Sequence, residues 1–163
     1  LNEPIVKKQN DILVFDEPTL TFDFKSPIVI FSLLMCFGLF ITYRNIKKGK
    51  RSKWFDFILF MTTGLIGISI IFLWFFTDHS TTPNNFNFLW AFAPNLVIAF
   101  LFLKDNPQKW IQKYIWLLLL FLLFIPILWV GKIQVFSFAI IPLLILFFVR
   151  YLFLSKLLSV KKE

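Results

Sequence analysis

Cysteine and histidine are almost absent from this sequence, and their absence excludes several classes of site. A single cysteine, Cys36, excludes a disulfide framework within the chain and the repeated thiol spacing of a zinc site. Cys36 lies between Met35 and Phe37 in an apolar run, where a thiol normally behaves as a small hydrophobic group. His79 is the one histidine. We therefore expect neither a metal nor a cofactor.

Charged residues are also scarce, at 16% of the chain, whereas soluble domains average about a quarter. Hydrophobic residues make up 58%, and the 24 Phe and 6 Trp exceed what a soluble core of this size buries. The net charge of +8 would suit nucleic acid, but the cations cluster at the ends of apolar runs instead of covering one folded surface. The composition predicts a membrane protein with no nucleic-acid partner.

Five apolar runs are each long enough to cross a bilayer, which takes about 20 residues of helix with a range of about 17–25. We place these spans at about residues 27–43, 54–76, 88–103, 114–130 and 135–154. The predicted fold is all-α and polytopic, with a five-helix transmembrane domain over residues 26–163.

Lysine and arginine alternate between the two sides of these spans. The side that we assign to the cytoplasm holds the loop after span one, the loop after span three and the C-terminal end, because basic loops stay there. Its cations are Arg44, Lys47, Lys48, Lys50, Arg51, Lys53, Lys104, Lys109, Lys113, Arg150, Lys156, Lys161 and Lys162. The N-terminus is then outside. We expect Asp56 to pair with the first cluster and Arg150 to extend toward the cytoplasmic interface.

Residues 1–25 differ from the rest of the chain because they are polar and carry five acids. Residues 12–15 and 20–24 have the apolar and alternating patterns of short strands, which need a partner sheet. We expect this segment to be the tail of an upstream folded domain.

The outer loop between spans two and three concentrates polar side chains and has no Lys or Arg. Its candidate site residues, with one more inside span three, are Asp78, His79, Asn84, Asn85, Asn87, Trp90 and Asn95. One interpretation is structural: Asp78 and His79 end span two in water, and Asn84 or Asn85 caps span three. The other is a binding site, favoured by Asn95, since a polar group at membrane depth usually faces a bundle interior or a wet cavity. Pro94 would free the carbonyl of Trp90, giving a polar line from Asn87 through Trp90 to Asn95.

Span two carries a stripe of small residues, Gly64-Leu65-Ile66-Gly67-Ile68-Ser69. Small residues let the backbone of a second helix approach closely in a membrane. We predict that another helix packs against this stripe.

Three stretches together resemble the Lnb-type lipoprotein N-acyltransferases. They are Thr62-Thr63-Gly64-Leu65-Ile66-Gly67, Leu73-Trp74-Phe75-Phe76-Thr77-Asp78-His79 and Asn84-Asn85-Phe86-Asn87-Phe88-Leu89-Trp90-Ala91. The resemblance implies an N-terminal periplasmic domain followed by a five-helix domain in the bacterial inner membrane. It implies acyl transfer, with a phospholipid as donor, onto the amino group of a lipoprotein's lipidated N-terminal Cys.

The same resemblance places catalysis in the periplasmic domain, so no catalytic residue is assigned to this sequence. The motif positions Asp78, His79, Asn84, Asn85, Asn87 and Trp90 become candidates for holding a phospholipid headgroup or the lipoprotein N-terminus. Its own periplasmic domain and a larger envelope complex are the expected protein partners. The alternative function is a non-catalytic membrane anchor or scaffold. A transporter would need charged intramembrane residues or broken helices in matching halves, for which only Pro94-Asn95 gives a hint.

Overall fold

The computed structural model describes residues 24–76 and 85–160, which are helical with no strand among them. The α-helices are α1 (Pro27–Lys48), α2 (Lys53–Phe76), α3 (Asn95–Phe102), α4 (Trp110–Val130) and α5 (Ile141–Val160). Short 3-10 helices occupy Phe86–Leu89 and Phe138–Ile140. The strands predicted at 12–15 and 20–24 lie almost wholly outside the described residues.

Four helical segments in the described part are long and apolar enough to cross a membrane. They are Pro27–Lys48, Lys53–Phe76, Trp110–Val130 and Phe138–Ser159. The first runs five residues beyond the predicted end at residue 43. Its basic last turn remains helical until Gly49, whose left-handed backbone (φ 59°) lets its N–H bond back to the helix.

The segment predicted as the third span is not one helix. The 3-10 helix Phe86–Leu89 is followed by a turn, and α3 begins only at Asn95. Pro94 favours the break, because it lacks an N–H and costs less at a helix start than in a helix interior, although α4 continues through Pro126. The broken segment nevertheless runs the length of the bundle. The N–H of Phe86 donates to Gln134 beyond α4 (2.6 Å), and the carbonyl of Phe102 accepts from Arg51 before α2 (2.7 Å).

Helix α2 packs against α3 and the turn before it through two glycines, which confirms the prediction of close approach at the small-residue stripe. A Cβ added at Gly64 would lie 2.2 Å from the backbone N of Leu96, and one at Gly67 would lie 2.1 Å from the carbonyl O of Ala91. Only hydrogen fits at these positions. Helix α1 packs along α5, α5 also packs along α4, and α1 and α2 are not packed closely along their lengths.

The cation-rich segments meet at one end of the bundle. Lys53 at the start of α2 forms an ion pair with Asp105 after α3, and the guanidinium of Arg51 bonds to the carbonyl of Lys104. Gln112 at the start of α4 donates to the carbonyl of Ser155 near the end of α5 (3.3 Å). This basic end therefore contains the α1–α2 loop, the α3–α4 loop and the end of α5.

Candidate functional site

The predicted site residues fall into three groups. Asp78, His79 and Asn84 lie outside the described residues. Asn85, Asn87 and Trp90 form one cluster at the end of the bundle opposite the basic end. Asn95 belongs to a separate cluster inside the bundle, so the predicted polar line from Asn87 to Asn95 is not formed as one unit.

The first cluster, here called the amide cluster, is a short chain of hydrogen bonds at the 3-10 helix. Oδ1 of Asn85 accepts from the backbone N of Asn87 (3.1 Å) and from its Nδ2 (2.7 Å). Nε1 of Trp90 donates to Oδ1 of Asn87 (2.8 Å). Asn85 thus caps the 3-10 helix Phe86–Leu89, whereas the structural interpretation had Asn84 or Asn85 capping span three. Asn87 holds the indole of Trp90 in one orientation.

The indole of Trp90 lies where two adjoining cavities meet. Phe31 and Leu143 also line both, so the two cavities adjoin, and together they are called the groove. The part near the amide cluster, of about 330 Å³, is lined by Pro27, Phe31, Asn87, Trp90, Val135, Phe136, Ser137, Ala139, Ile140 and Leu143. The deeper part, of about 340 Å³, is lined by Phe31, Leu34, Phe37, Phe55, Ile58, Leu59, Thr62, Thr63, Ile66, Trp90, Leu143, Leu146 and Phe147.

The groove exists because α1 and α2 lean on different partners. Helix α1 packs on α5 and α2 on α3, which leaves a lateral opening between them with α5 as its floor. Phe37 is 60% exposed and Ile58 is 59% exposed along this opening. From Pro27 to Phe37 the groove follows ten residues of α1, or about 15 Å. Along α2 the lining extends from Ile66 to Phe55, in the first turn of that helix, so the groove reaches the level of the buried Arg150 guanidinium near the basic end.

The chemistry of the groove changes along its length. Thr62 and Thr63 supply the only hydroxyls of its deeper part, whose other lining side chains are apolar. Near the amide cluster the lining includes Asn87 and Ser137. The hydroxyl oxygen of Ser137 accepts from the N–H of Ala139 (3.3 Å), and its own O–H can still donate. The groove therefore suits an amphipathic molecule with its polar group at the amide cluster.

Asn95 connects three helices inside the bundle. Its Nδ2 donates to Oγ1 of Thr63 on α2 (2.9 Å), and the hydroxyl of Tyr114 on α4 donates to its Oδ1. Asn95 is fully buried, as expected for a polar group at membrane depth, and its bonds satisfy both atoms of its amide. Asn95 thus fixes the position of Thr63, which lines the groove.

A buried ion pair near the basic end was not predicted. Arg150 on α5 contacts Oδ1 of Asp56 on α2 through Nη2 (2.6 Å) and Nε (2.8 Å). Its guanidinium carbon lies 4.9 Å from the ring centres of Phe55 and Phe153. The prediction that Arg150 extends to the interface is therefore wrong, because its charge is matched inside the bundle. Arg51 lies 3.4 Å from Oδ2 of Asp56, so the predicted pairing with the basic cluster is present as a second contact.

The described residues contain no group of three His, Cys, Asp or Glu side chains that could hold a metal ion. Cys36 is exposed on α1. What the geometry offers chemically is binding and orientation of an amphipathic molecule.

One family model matches the chain, the Lnb transmembrane domain, over residues 19–163. No curated protein and no solved structure matches it. The matched range includes all five helices, the amide cluster and the groove. The chain therefore belongs to the Lnb transmembrane domain family.

Proposed function

We propose that this chain is the membrane domain of a bacterial lipoprotein N-acyltransferase, and that its groove holds one acyl chain of a lipid substrate. The proposal is supported by the two cavities that adjoin at Phe31, Trp90 and Leu143. Together they form a mainly apolar slot between α1 and α2, with the amide cluster and Ser137 at one end. Membership of the Lnb transmembrane domain family supports the assignment to such a protein.

The proposed orientation follows from the basic end. Loops rich in Lys and Arg remain in the cytoplasm, so the basic end faces the cytoplasm and the amide cluster faces the periplasm. Residues 86–103 then make the fifth crossing as a broken helix, in addition to the four longer segments. The N-terminus lies in the periplasm and the C-terminus in the cytoplasm of an inner-membrane protein.

The proposed reaction moves an acyl group between two lipids. The acyl carbon of a phospholipid ester forms a bond to the α-amino nitrogen of the lipidated N-terminal Cys of a lipoprotein. The ester C–O bond breaks, the amine loses a proton, and a lysophospholipid leaves. We assign this chemistry to a periplasmic domain of the same protein, which would act directly above the amide cluster.

The membrane domain contributes by keeping the substrate in the bilayer while its head is presented. Moving an acyl chain into water costs about 0.8 kcal/mol per CH₂, so the reacting ester has to be met at the interface. The groove holds the acyl chain, and the amide cluster limits the position of the headgroup. The ester is therefore held in one orientation toward the catalytic domain and does not have to reach that domain by diffusion in the plane of the membrane. The proposed polar contacts to the headgroup are the residues of the amide cluster together with three more of the same loop, Asp78, His79 and Asn84.

The experiment is to fill the groove and to measure N-terminal acylation of lipoproteins in cells. Leu143→Trp places a larger side chain where the two parts of the groove meet, and we expect acylation to fall at least tenfold at unchanged protein abundance. The matched control is Leu123→Trp, because Leu123 is 56% exposed on α4 and lies outside the groove. Unchanged acylation in Leu143→Trp would instead favour a non-catalytic anchor or scaffold.

A further inference from the structure

A second cavity lies at the opposite end of α1 from the amide cluster. It has a volume of about 230 Å³ and is lined by Ile41, Arg44, Asn45, Lys48, Lys50, Arg51 and Ser52. None of these residues lines the groove. We propose that this basic cavity binds the phosphate of an anionic phospholipid from the leaflet at the basic end.

Local backbone geometry brings the cations of the basic cavity together. Arg44 and Lys48 are four residues apart on α1 and therefore lie on the same face of the helix. Gly49 then takes a left-handed conformation that ends the helix, and the N–H of Lys50 bonds back to the carbonyl of Asn45 (3.2 Å). This turn places Lys50 and Arg51 beside the last turn of α1.

The positive charge of the basic cavity is balanced by its neighbours only in part. Four cations line it, and no Asp or Glu does. The guanidinium of Arg51 is already engaged, because it lies 3.4 Å from Oδ2 of Asp56 and donates to the carbonyls of Phe102 and Lys104. Asp105 pairs with Lys53, outside the cavity lining. An anion bound among Arg44, Lys48 and Lys50 would relieve the mutual repulsion of these three cations.

The polar side chains between the cations suit a phosphate oxygen. The amide of Asn45 lies 3.0 Å from Oγ of Ser52, and with its oxygen turned toward Arg150 it accepts from Nη1 at 2.9 Å. In this orientation the amide donates to Ser52, whose own O–H can point into the cavity. Arginine and lysine beside a hydroxyl are the groups that proteins use for phosphate.

The apolar surroundings favour a lipid over free phosphate as the source of that anion. Ile41 forms one edge of the cavity, and Phe40 on the same helix is 56% exposed and does not line the groove. Acyl chains of a bound phospholipid would lie along this exposed face of α1, which is the least buried of the four long apolar segments. Basic pockets between membrane helices at the cytoplasmic side are typical headgroup sites.

The test measures lipid binding to the purified full-length protein by native mass spectrometry. Phosphatidylglycerol and phosphatidylethanolamine with identical acyl chains are compared, and inorganic phosphate is added as a competitor. We expect phosphatidylglycerol to bind more tightly and inorganic phosphate not to displace it. Equal binding of the two lipids, or displacement by phosphate at equal concentration, would overturn the proposal.

Two triple variants with the same loss of charge locate the site. Arg44→Gln/Lys48→Gln/Lys50→Gln removes cavity cations, and we expect phosphatidylglycerol binding to weaken roughly a hundredfold, at about fivefold for each basic residue. The control Lys47→Gln/Lys109→Gln/Lys113→Gln removes three cations of the basic end that do not line the cavity, and should stay within about twofold of the parent. Equal weakening in both variants would show attraction by overall charge and would contradict a specific site. If the triple variant unfolds, the single variant Lys50→Glu replaces it and is compared with Lys47→Glu, an exposed position that does not line the cavity. We expect phosphatidylglycerol binding to weaken more in Lys50→Glu.

Discussion

The guanidinium of Arg150 lies 2.6 Å from the carboxylate of Asp56, and both side chains are fully buried. The pair joins α5 to α2 across 94 residues of sequence. Thr42 on α1 accepts from Nη1 of Arg150 (3.2 Å) and donates to the carbonyl of Gly38 (2.8 Å). Three of the long helices are thus held together at the level just inside the basic end.

Breaking this ion pair from one side should destabilise the protein more than removing both charges. Asp56→Leu leaves the buried Arg150 guanidinium without its acid, and Arg150→Met leaves the Asp56 carboxylate with only the 3.4 Å contact to Arg51. We expect each to lower the free energy of unfolding by about 3–5 kcal/mol. The double variant Asp56→Leu/Arg150→Met should lose less than the sum of the two. Thermal unfolding in detergent measures the three variants. The control is Lys53→Gln, whose partner Asp105 is exposed. Additive losses, or a single variant as stable as the control, would contradict the buried pair.

Gly67 should not tolerate even a methyl group. The added Cβ of Gly67→Ala would lie 2.1 Å from the carbonyl oxygen of Ala91 and 2.5 Å from the backbone N of Ala93. Because backbone atoms cannot rotate away as a side chain can, we expect a loss of about 3 kcal/mol, the upper part of the range for overpacking. Ser69→Ala on the exposed side of the same helix should change stability by less than about 0.5 kcal/mol. The measurement is the melting temperature of Gly67→Ala and of Ser69→Ala in the same detergent. Equal melting temperatures would mean that α2 and the turn before α3 are not in close contact.

Asn87 and Trp90 should act as one unit in acylation. Asn87→Leu and Trp90→Phe each remove the same hydrogen bond, from Nε1 of Trp90 to Oδ1 of Asn87. We therefore expect each single variant to lower the initial rate of lipoprotein acylation by about tenfold, and the double variant to be little worse than either, since coupled residues are non-additive. The matched control is Trp116→Phe, which alters an indole that is 55% exposed on α4. If the fold-losses of the two single variants multiply in the double variant, the two residues act independently. Asn87 would then not act by positioning the indole of Trp90.

The two ends of the bundle should be labelled from opposite sides of the membrane. In a Cys36→Ser background, Lys47→Cys lies at the end of α1, at the basic end, and Lys132→Cys lies in the α4–α5 connection at the other end. A membrane-impermeant thiol reagent applied to spheroplasts should react with Lys132→Cys and should reach Lys47→Cys only after lysis. The reverse pattern would invert the proposed orientation, and labelling of both positions before lysis would contradict it.

Sequence reasoning predicted what depends on local patterns. The apolar runs marked the four long helices, and Gly64 and Gly67 indicated the close approach to α2. The break before Asn95 was visible in Pro94, but the apolar length of residues 88–103 outweighed it in the prediction of a third span. Proline position alone would not have decided the matter, because α4 continues through Pro126, whereas at Pro94 the missing N–H coincides with a helix start.

The contacts between distant residues were not predictable in the same way. Asp56 was predicted to pair with the basic cluster after span one, and Arg150 was assigned to the interface, because a charge near a helix end can be solvated there. Their pairing depends on the azimuth and the depth of two helices far apart in the sequence, which hydropathy does not define. The groove is a similar case, since it results from α1 and α2 packing on different partners. The presence of one acid in α2 and one arginine well inside α5 was the signal that could have suggested the pair.

The most direct measurement of the proposed function is contact between a lipid and the floor of the groove. A leucine analogue with a photoreactive diazirine replaces Leu143 in the full-length protein, and the same analogue replaces Leu123 on the lipid-facing side of α4 as the control. After purification in detergent and illumination, adducts are identified by mass spectrometry. We expect a phospholipid adduct at Leu143 and none at Leu123. No adduct at Leu143, or equal adducts at both positions, would contradict a groove that retains an acyl chain.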